Sequence, residues 1–277
     1  MSAQTLEISL AHRVAVVRMA REKVRNAFNE TMIAELAQTF RELGADDGIR
    51  AIVLAGRGPA FCAGADLDWM RRMANYSPQE NRTDARALAD MLHVIDTCPK
   101  PTVARVHGDA YAGGMGLIAA CDIAFAASNV NFCLSETRLG LIPATISPYV
   151  LRSMGANAAR RYFISAEKFP AAEAYRIGFV HDIAPPEELD ARVNALLGTL
   201  METSGNAVRE AKRLVREIGG RPIDERLLAD TAERIAAVRS SDDGKEGVRA
   251  FLEKRKPRWL ADFEAEQAAA GEDDEEM

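Results

Sequence analysis

The chain has 277 residues, of which 48% are hydrophobic, and its formal net charge is −6. This length and composition allow a substantial buried core, which excludes disorder of the whole chain and favours one large domain or one domain with an appendage. There is no apolar run long enough to cross a bilayer, and MSAQTLEISL lacks the features of a signal peptide. We therefore expect a cytoplasmic protein with no membrane partner.

The negative charge is concentrated in the last residues. Residues 262–277 contain eight acids and no base, and without them 35 basic side chains face 33 acidic ones. The rest of the chain is thus mildly basic, which suits a small polyanionic ligand but not nucleic acid, since nucleic acid calls for a concentrated basic surface. We expect residues 263–277 to form an acidic, disordered tail.

Cysteines and histidines are scattered singly through the chain: Cys62, Cys98, Cys121, Cys133, His12, His93, His107 and His181. None has the spacing of a metal-binding motif. The pattern predicts buried reduced thiols, histidines at the surface or in packing positions, and no metal site.

In chain order, the apolar pattern first predicts a β-hairpin, with LEISL and VAVVRM on either side of His12 and Arg13. An amphipathic helix capped by Asn29 follows, reaching Leu43, and then a strand covered on both faces over Ile49 to Gly56. The later pattern predicts helices over 83–97 and 116–120 and strands over 101–107, 122–127 and 131–132.

Strand–strand–helix units therefore return along the chain, which predicts an α/β fold in which ββα units coil into a spiral over residues 1–200. Beyond Pro185 and Pro186 the sequence becomes charged and helix-forming, and we expect a helical oligomerisation region over 201–262. The four predicted helices there and just before it are 187–202, 204–219, 224–239 and 243–254.

The first segment whose residues suit ligand binding or catalysis is GRGPAFCAGADL, from Gly56 to Leu67. Its small residues directly follow a strand, so a ligand could approach the main-chain N–H groups closely. A simple tight turn explains the same residues equally well.

The second segment is GDAYAGGMGL, from Gly108 to Leu117. Gly113 and Gly114 would place bare amides at a helix N-terminus, where negative charge is favoured. The segment lacks the Lys-Ser/Thr of a phosphate-binding P-loop, and an ordinary glycine-rich helix start remains an alternative.

The third segment is SETRLGLIPA, from Ser135 to Ala144, in which one acid lies between apolar runs. A half-buried Glu136 would hold its proton more tightly than usual, which suits a general acid or base near neutral pH. An ion pair between Glu136 and Arg138 is the alternative.

The joint order of FCAGADL, GDAYAGGMGL with CDIAFA, and SETRLGLIPA, preceded by KVRNAFNETM, resembles the enoyl-CoA hydratase/isomerase (crotonase) superfamily. The resemblance covers most of residues 5–260, including AKRLV and FLEKRKPRW. It implies that the N–H groups of Ala65 and Gly113 form an oxyanion hole for a thioester, and that coenzyme A enters only as part of the substrate. The residues that the resemblance assigns to coenzyme A binding are Val24, Arg25, Ala27, Ala63, Asp66, Leu67, Phe251 and Lys254.

Family members with two catalytic glutamates carry the first one at the position of Gly116, so the resemblance implies a single-glutamate site in which Glu136 is the second. We hypothesise that Gly116 leaves room for a branched acyl chain or relieves repulsion against a substrate carboxylate. Arg71, Arg72 or Arg138 would then pair with that carboxylate.

Within the superfamily, DLDWMRRMA, SETRLGLIPATISPYV and RRYF look most similar to bacterial methylglutaconyl-CoA hydratases. The implied activity is syn hydration of a 2-enoyl-CoA, and the implied assembly is a homotrimer or a hexamer. Two alternatives stay open: a Δ3-Δ2-enoyl-CoA isomerase, for which one glutamate suffices, and a non-catalytic protein that binds coenzyme A or RNA.

Overall fold

The computed structural model describes residues 4–265, which divide into two compact units. The first contains the described residues up to Cys98 together with Thr102–Ala195, and the second contains Pro99–Pro101 and the described residues from Leu196 onward. The strands are β1 Leu6–Ala11, β2 Val14–Met19, β3 Ala51–Gly56, β4 Ala60–Cys62, β5 Thr102–Val106, β6 Asp109–Tyr111, β7 Ile123–Ala127, β8 Asn131–Cys133, β9 Phe169–Pro170 and β10 Asp182–Ala184. The helices are α1 Glu30–Ala45, α2 Leu67–Met73, α3 Pro78–Thr97, α4 Gly113–Ala120, α5 Ser147–Ser165, α6 Ala171–Arg176, α7 Leu189–Met201, α8 Gly205–Ile218, α9 Glu225–Ser240 and α10 Asp242–Leu252.

The larger sheet has the strand order β1-β2-β3-β5-β7-β10. Only β1 and β2 are antiparallel, and His12 and Arg13 at their turn have φ of 48° and 63°, as a two-residue hairpin turn requires. The remaining neighbours are parallel, and β3 is buried along nearly its whole length because elements cover both of its faces. The predicted hairpin and buried strand are both confirmed.

The smaller sheet has the strand order β4-β6-β8-β9, of which the first three are parallel. Three successive strand pairs, β3 with β4, β5 with β6 and β7 with β8, each give their first strand to the larger sheet and their second to the smaller one. This alternation is the coiled stack of ββα units that the sequence predicts, and the α/β fold class is confirmed.

Two predicted helices begin earlier than the apolar pattern indicates. The helix predicted over 83–97 is α3, which begins at Pro78 because Ser77 and Glu80 form a capping box ahead of its apolar stripe. The helix predicted over 116–120 is α4, which begins at Gly113, and its residues from Gly114 to its end are buried. A helix that is apolar on all sides has no amphipathic period by which its start could be found.

The C-terminal helices match the four predicted segments to within a few residues at each end. The predicted boundary between spiral core and helical region, after residue 200, falls within α7, a few residues beyond the end of the first unit at Ala195. Of the tail predicted over 263–277, the first three residues belong to a helical stretch over 258–265, and residues 266–277 lie outside the described part of the chain. No helix in residues 4–265 is both long and apolar enough to cross a membrane.

Candidate active site

Three chemically distinctive turns lie at the same edge of the smaller sheet. Ala65 follows β4, Gly113 follows β6, and Glu136 follows β8, each within three residues of the strand's end. These strands are adjacent and parallel, so their carboxyl ends point the same way. The topology thus brings together three segments that are far apart in sequence, as is typical of ligand sites on parallel sheets.

The turns after β4 and β6 are in direct contact, which explains their small residues. A Cβ on Gly114 would lie 2.6 Å from the carbonyl oxygen of Cys62, and one on Gly64 would lie 3.1 Å from the carbonyl oxygen of Tyr111. Gly64 also has a φ of 89°, which side chains disfavour. Any larger residue at either position would push the two turns apart.

The N–H of Ala65 is left available by the local pairing. Phe28 and Ala65 form an isolated parallel bridge whose two hydrogen bonds use the neighbours of Ala65: Phe28 N donates to Gly64 O at 2.8 Å, and Asp66 N donates to Phe28 O at 3.0 Å. Because successive groups of an extended segment point in opposite directions, the N–H of Ala65 is directed away from Phe28.

The second main-chain donor is the N–H of Gly113, the first residue of α4, where N–H groups have no partner inside the helix. The preceding residue, Ala112, has φ of 48° and ψ of −122°, a conformation that costs a residue with a side chain about 1–3 kcal/mol. Its own N–H donates to Cys133 O at 2.8 Å, which ties the turn to β8. This strained position was not predicted from the sequence, since an alanine gives no signal of a positive φ.

The side chain of Glu136 is half-buried, and its Oε2 is a buried atom with no hydrogen-bond partner within the described residues. Burial raises the pKa of this carboxyl group above its ordinary value, against the opposing effect of a backbone hydrogen bond. The ion pair with Arg138 is not formed; Arg138 Nη2 donates instead to Ala166 O at 2.6 Å. A carboxyl group without a neutralising partner can exchange a proton with a ligand.

The space beside Gly116 is filled, which corrects the hypothesis that this glycine leaves room for an acyl chain. A Cβ on Gly116 would lie 2.2 Å from Ile146 Cγ2 and 2.8 Å from Ile146 Cβ. Both residues are buried, Ile146 with only 1% of its surface exposed.

The two N-terminal segments assigned to coenzyme A lie side by side. Ala63 N donates to Arg25 O at 3.0 Å, beside the bridge between Phe28 and Ala65. Val24 and Arg25 are exposed and Ala27 is buried, while Ala63 is half-buried, Asp66 buried and Leu67 69% exposed.

Asn26 holds this arrangement together and was missed in the sequence analysis. It is fully buried, and its Nδ2 donates to Arg57 O at 2.7 Å and Ala60 O at 2.9 Å. The Oδ1 of Asn26 accepts a hydrogen bond from Arg21 N at 3.0 Å. A polar residue inside KVRNAF was the only signal in the sequence, and it does not reveal long-range partners.

The remaining predicted residues lie elsewhere. Phe251 and Lys254 belong to the second unit, where both are exposed. Arg71 pairs with Asp68 and Arg72 forms a bidentate pair with Glu30, so each of these guanidinium groups already has a carboxylate partner.

Cysteines and histidines form no common cluster. All four cysteines are buried and none forms a disulfide, as predicted, and burial raises the pKa of the Cys62 thiol to about 12. Across residues 4–265, no group of three or more His, Cys, Asp or Glu side chains could hold a metal ion.

Two available main-chain donors and a half-buried carboxyl group, placed at the ends of adjacent parallel strands, can together stabilise negative charge on a carbonyl oxygen and move one proton if they act on the same ligand. This arrangement belongs to the enzymes that act on activated carbonyl compounds. The chain belongs to the enoyl-CoA hydratase/isomerase family, whose model matches residues 10–262.

Relatives support this assignment. The crotonyl-CoA hydratase of Syntrophomonas wolfei is 31% identical over 94% of this chain and 100% of its own length. The crystal structure of an enoyl-CoA hydratase from Shewanella pealeana superposes with a TM-score of 0.90 at 41% identity, covering 93% of this chain and 96% of that one. AtuE of Pseudomonas aeruginosa superposes with a TM-score of 0.89 at 34% identity, covering 93% of this chain and all of that one.

Proposed function

We propose that this protein is an enoyl-CoA hydratase that adds water to a 2-enoyl-CoA with a single catalytic carboxyl group. The observation that carries the proposal is the position of Ala65, Gly113 and Glu136 just beyond the carboxyl ends of three adjacent parallel strands. The N–H groups of Ala65 and Gly113 would bind the thioester oxygen, and Glu136 would handle the proton. The coenzyme A part of the substrate would be the only cofactor-like group required.

In the proposed reaction, the carboxylate of Glu136 removes a proton from a water molecule, whose oxygen forms a bond to the β-carbon. The π electrons of the double bond shift to the thioester oxygen, where the two amides stabilise the negative charge. Each such donor contributes about 3–4 kcal/mol to the transition state. The protonated Glu136 then gives its proton to the α-carbon on the same face, so one water is added and the carboxylate is regenerated.

The variant Glu136→Gln tests this role. Because glutamine cannot accept or return the proton, hydration of crotonyl-CoA should fall by about 10²–10⁴-fold, measured by loss of the enoyl thioester absorbance. Glu187→Gln, which removes an exposed carboxylate outside the proposed site, is the matched control and should keep its activity. Full activity of Glu136→Gln would exclude the proposed mechanism.

A Δ3-Δ2-enoyl-CoA isomerase is the second candidate, and the observation that favours it is the single carboxyl group. Glu136 could take a proton from one carbon and return it to another without any water. Incubation with a 3-enoyl-CoA and, separately, with a 2-enoyl-CoA distinguishes the two reactions, since only hydration yields a 3-hydroxyacyl product.

For the substrate we propose methylglutaconyl-CoA or a related branched acyl-CoA, supported by the sequence resemblance of the DLDWMRRMA and SETRLGLIPATISPYV stretches. The existing partners of Arg71, Arg72 and Arg138 mean that a substrate carboxylate would have to displace one of them. We expect kcat/KM for 3-methylglutaconyl-CoA to exceed that for crotonyl-CoA. A value equal to or below that for crotonyl-CoA would contradict this assignment.

We also propose that the protein acts as a homotrimer or a hexamer and has no nucleic-acid partner. The exposed positions of Phe251 and Lys254 in the second unit are compatible with contacts to the nucleotide part of coenzyme A bound by another copy.

A further inference from the structure

The side chain of Ile146 occupies the volume that any side chain at position 116 would need. We propose that Ile146 is a mechanism-determining residue, which keeps the catalytic site to one carboxyl group by excluding a second acid from position 116. This inference rests on the proposed function, because it concerns how many proton-transfer groups that site contains.

The exclusion is steric and close. A Cβ on Gly116 would lie 2.2 Å from Ile146 Cγ2 and 2.8 Å from Ile146 Cβ, both far inside van der Waals contact. Ile146 cannot swing toward solvent without leaving the core, since only 1% of its surface is exposed. A β-branched side chain is also stiff at χ1, and both of the contacted atoms move only with that torsion or with the backbone.

The backbone of Ile146 is fixed as well. It immediately precedes α5, and its carbonyl oxygen accepts hydrogen bonds from Tyr149 N and Val150 N, both at 3.1 Å. Moving Ile146 away from α4 would therefore disturb the first turn of α5. The side chain rather than the main chain must give way if position 116 is to carry an acid.

This obstruction differs in kind from the one at Gly114, the preceding small residue of α4 on which a Cβ would meet main-chain atoms. A Cβ on Gly114 would meet the main-chain oxygen of Cys62 at 2.6 Å, and one on Gly113 would meet the ring of Phe28 at 2.3 Å. Gly114 is thus blocked by backbone. Gly116 is blocked by one aliphatic side chain, which a single substitution can remove.

Ile146 and Glu136 lie at opposite ends of one connection, which runs from the end of β8 to the start of α5. The same segment therefore supplies one acid and blocks the place of another. An acid introduced at position 116 alone would be forced against buried hydrocarbon, where a charged group is strongly disfavoured.

A double-mutant cycle of Gly116→Ala and Ile146→Ala tests the packing relationship without using activity. We expect Gly116→Ala to lower Tm by roughly 5 °C, because an added methyl overpacks the contact. Gly198→Ala is the matched control: Gly198 lies inside the helix α7 with nothing within 4 Å of a Cβ, so its Tm should stay the same or rise. In the Ile146→Ala background, Gly116→Ala should lower Tm only slightly. The proposal would be overturned if Gly116→Ala left the Tm of the wild type unchanged. It would also be overturned if Gly116→Ala lowered Tm equally in the wild type and in Ile146→Ala.

The mechanistic part is tested by the pH dependence of kcat/KM. We expect Gly116→Glu/Ile146→Gly to show one more ionisation than Ile146→Gly, whereas Gly116→Glu alone should lose soluble yield. The same profile in Gly116→Glu/Ile146→Gly and Ile146→Gly would refute the role of Ile146 in determining the number of acids. If the glutamate variants do not fold, the double-mutant cycle with alanine decides whether Ile146 excludes a side chain from position 116. Absence of hydratase activity from the wild type would instead refute the proposed function and leave the cycle interpretable.

Discussion

The carboxyl group of Glu136 lies in surroundings that change its acid strength. Burial raises its pKa, and the only basic side chain beside it in sequence, Arg138, is engaged with the carbonyl of Ala166. The charged form of Glu136 therefore lacks a compensating partner. Burial makes the carboxylate of such a group more basic. It also lowers the stability of the folded protein at a pH at which the group is ionised.

This raised pKa should be visible in the rate. Because Glu136 must be ionised to activate water, we expect kcat/KM for hydration to rise with pH through a midpoint above 4.5, the ordinary value for a glutamate. Stopped-flow or steady-state rates between pH 4 and 8 measure this midpoint. A midpoint below 4.5 would show that the carboxylate is stabilised rather than destabilised in the folded protein.

The same shift has a consequence for stability. A carboxyl group whose folded-state pKa lies above the unfolded value destabilises the protein as pH rises from the unfolded value through the folded one. Glu136→Gln, which removes the charge, should therefore have a higher Tm than the wild type at pH 7. The difference should vanish near pH 4, which thermal unfolding at both pH values would check.

Among the helices, α2 depends most clearly on one residue for its start. Asp66 accepts hydrogen bonds from Asp68 N at 2.8 Å and Trp69 N at 3.1 Å, and its other oxygen accepts from Arg21 Nη2 at 2.9 Å. Burial by itself would raise the pKa of Asp66, but the bonds from Trp69 and Arg21 outweigh it, so the pKa lies below the ordinary value. The cap thereby joins α2 to the segment that follows β2.

We expect Asp66→Ala to lower the free energy of unfolding by about 2–3 kcal/mol, since it removes the cap and leaves Arg21 without its carboxylate. Asp68→Ala is the control in the same helix; its side chain is 75% exposed, and the loss should stay within about 0.5 kcal/mol. Urea denaturation at pH 7 compares the two. Equal losses would mean that α2 does not depend on its cap.

The limits of sequence-based prediction follow from what each element depends on. The hairpin, α1 and the C-terminal helices carry their own periodicity and caps, so they were predicted with nearly correct bounds. Strands β4 and β6 have only three residues each and lie inside the glycine- and alanine-rich segments, so they were interpreted as parts of turns. The glycine turns and Glu136 were identified from composition and from the family resemblance, but the filling of the space at Gly116 depends on a residue 30 positions away and could not be predicted.

For the whole molecule, the apolar surface of α10 is the clearest indication of association with further copies. Val248, Phe251 and Leu252 have 59%, 83% and 73% of their surface exposed, and their spacing places them on one face of the helix. Large apolar side chains grouped in this way usually mark a contact surface. This agrees with the proposal of a trimer or hexamer.

We expect Val248→Asp/Leu252→Asp to reduce the mass measured by light scattering toward that of a single chain. Ile223→Asp makes one such substitution at an isoleucine that is 85% exposed ahead of α9, and it should keep the wild-type mass. A wild type that is already monomeric, or a double variant with unchanged mass, would contradict the proposed assembly.

Two of the three groups in the candidate site are main-chain amides, and this affects how its chemistry can change in evolution. No substitution at positions 65 or 113 other than proline deletes an N–H, whereas one codon change at 136 removes the one ionisable group among these three. Selection at positions 65 and 113 should therefore act on the size of the side chain. Selection at position 136 should act on the presence of the carboxyl group. A descendant that lost only this acid would keep its thioester-binding apparatus and could acquire a different reaction.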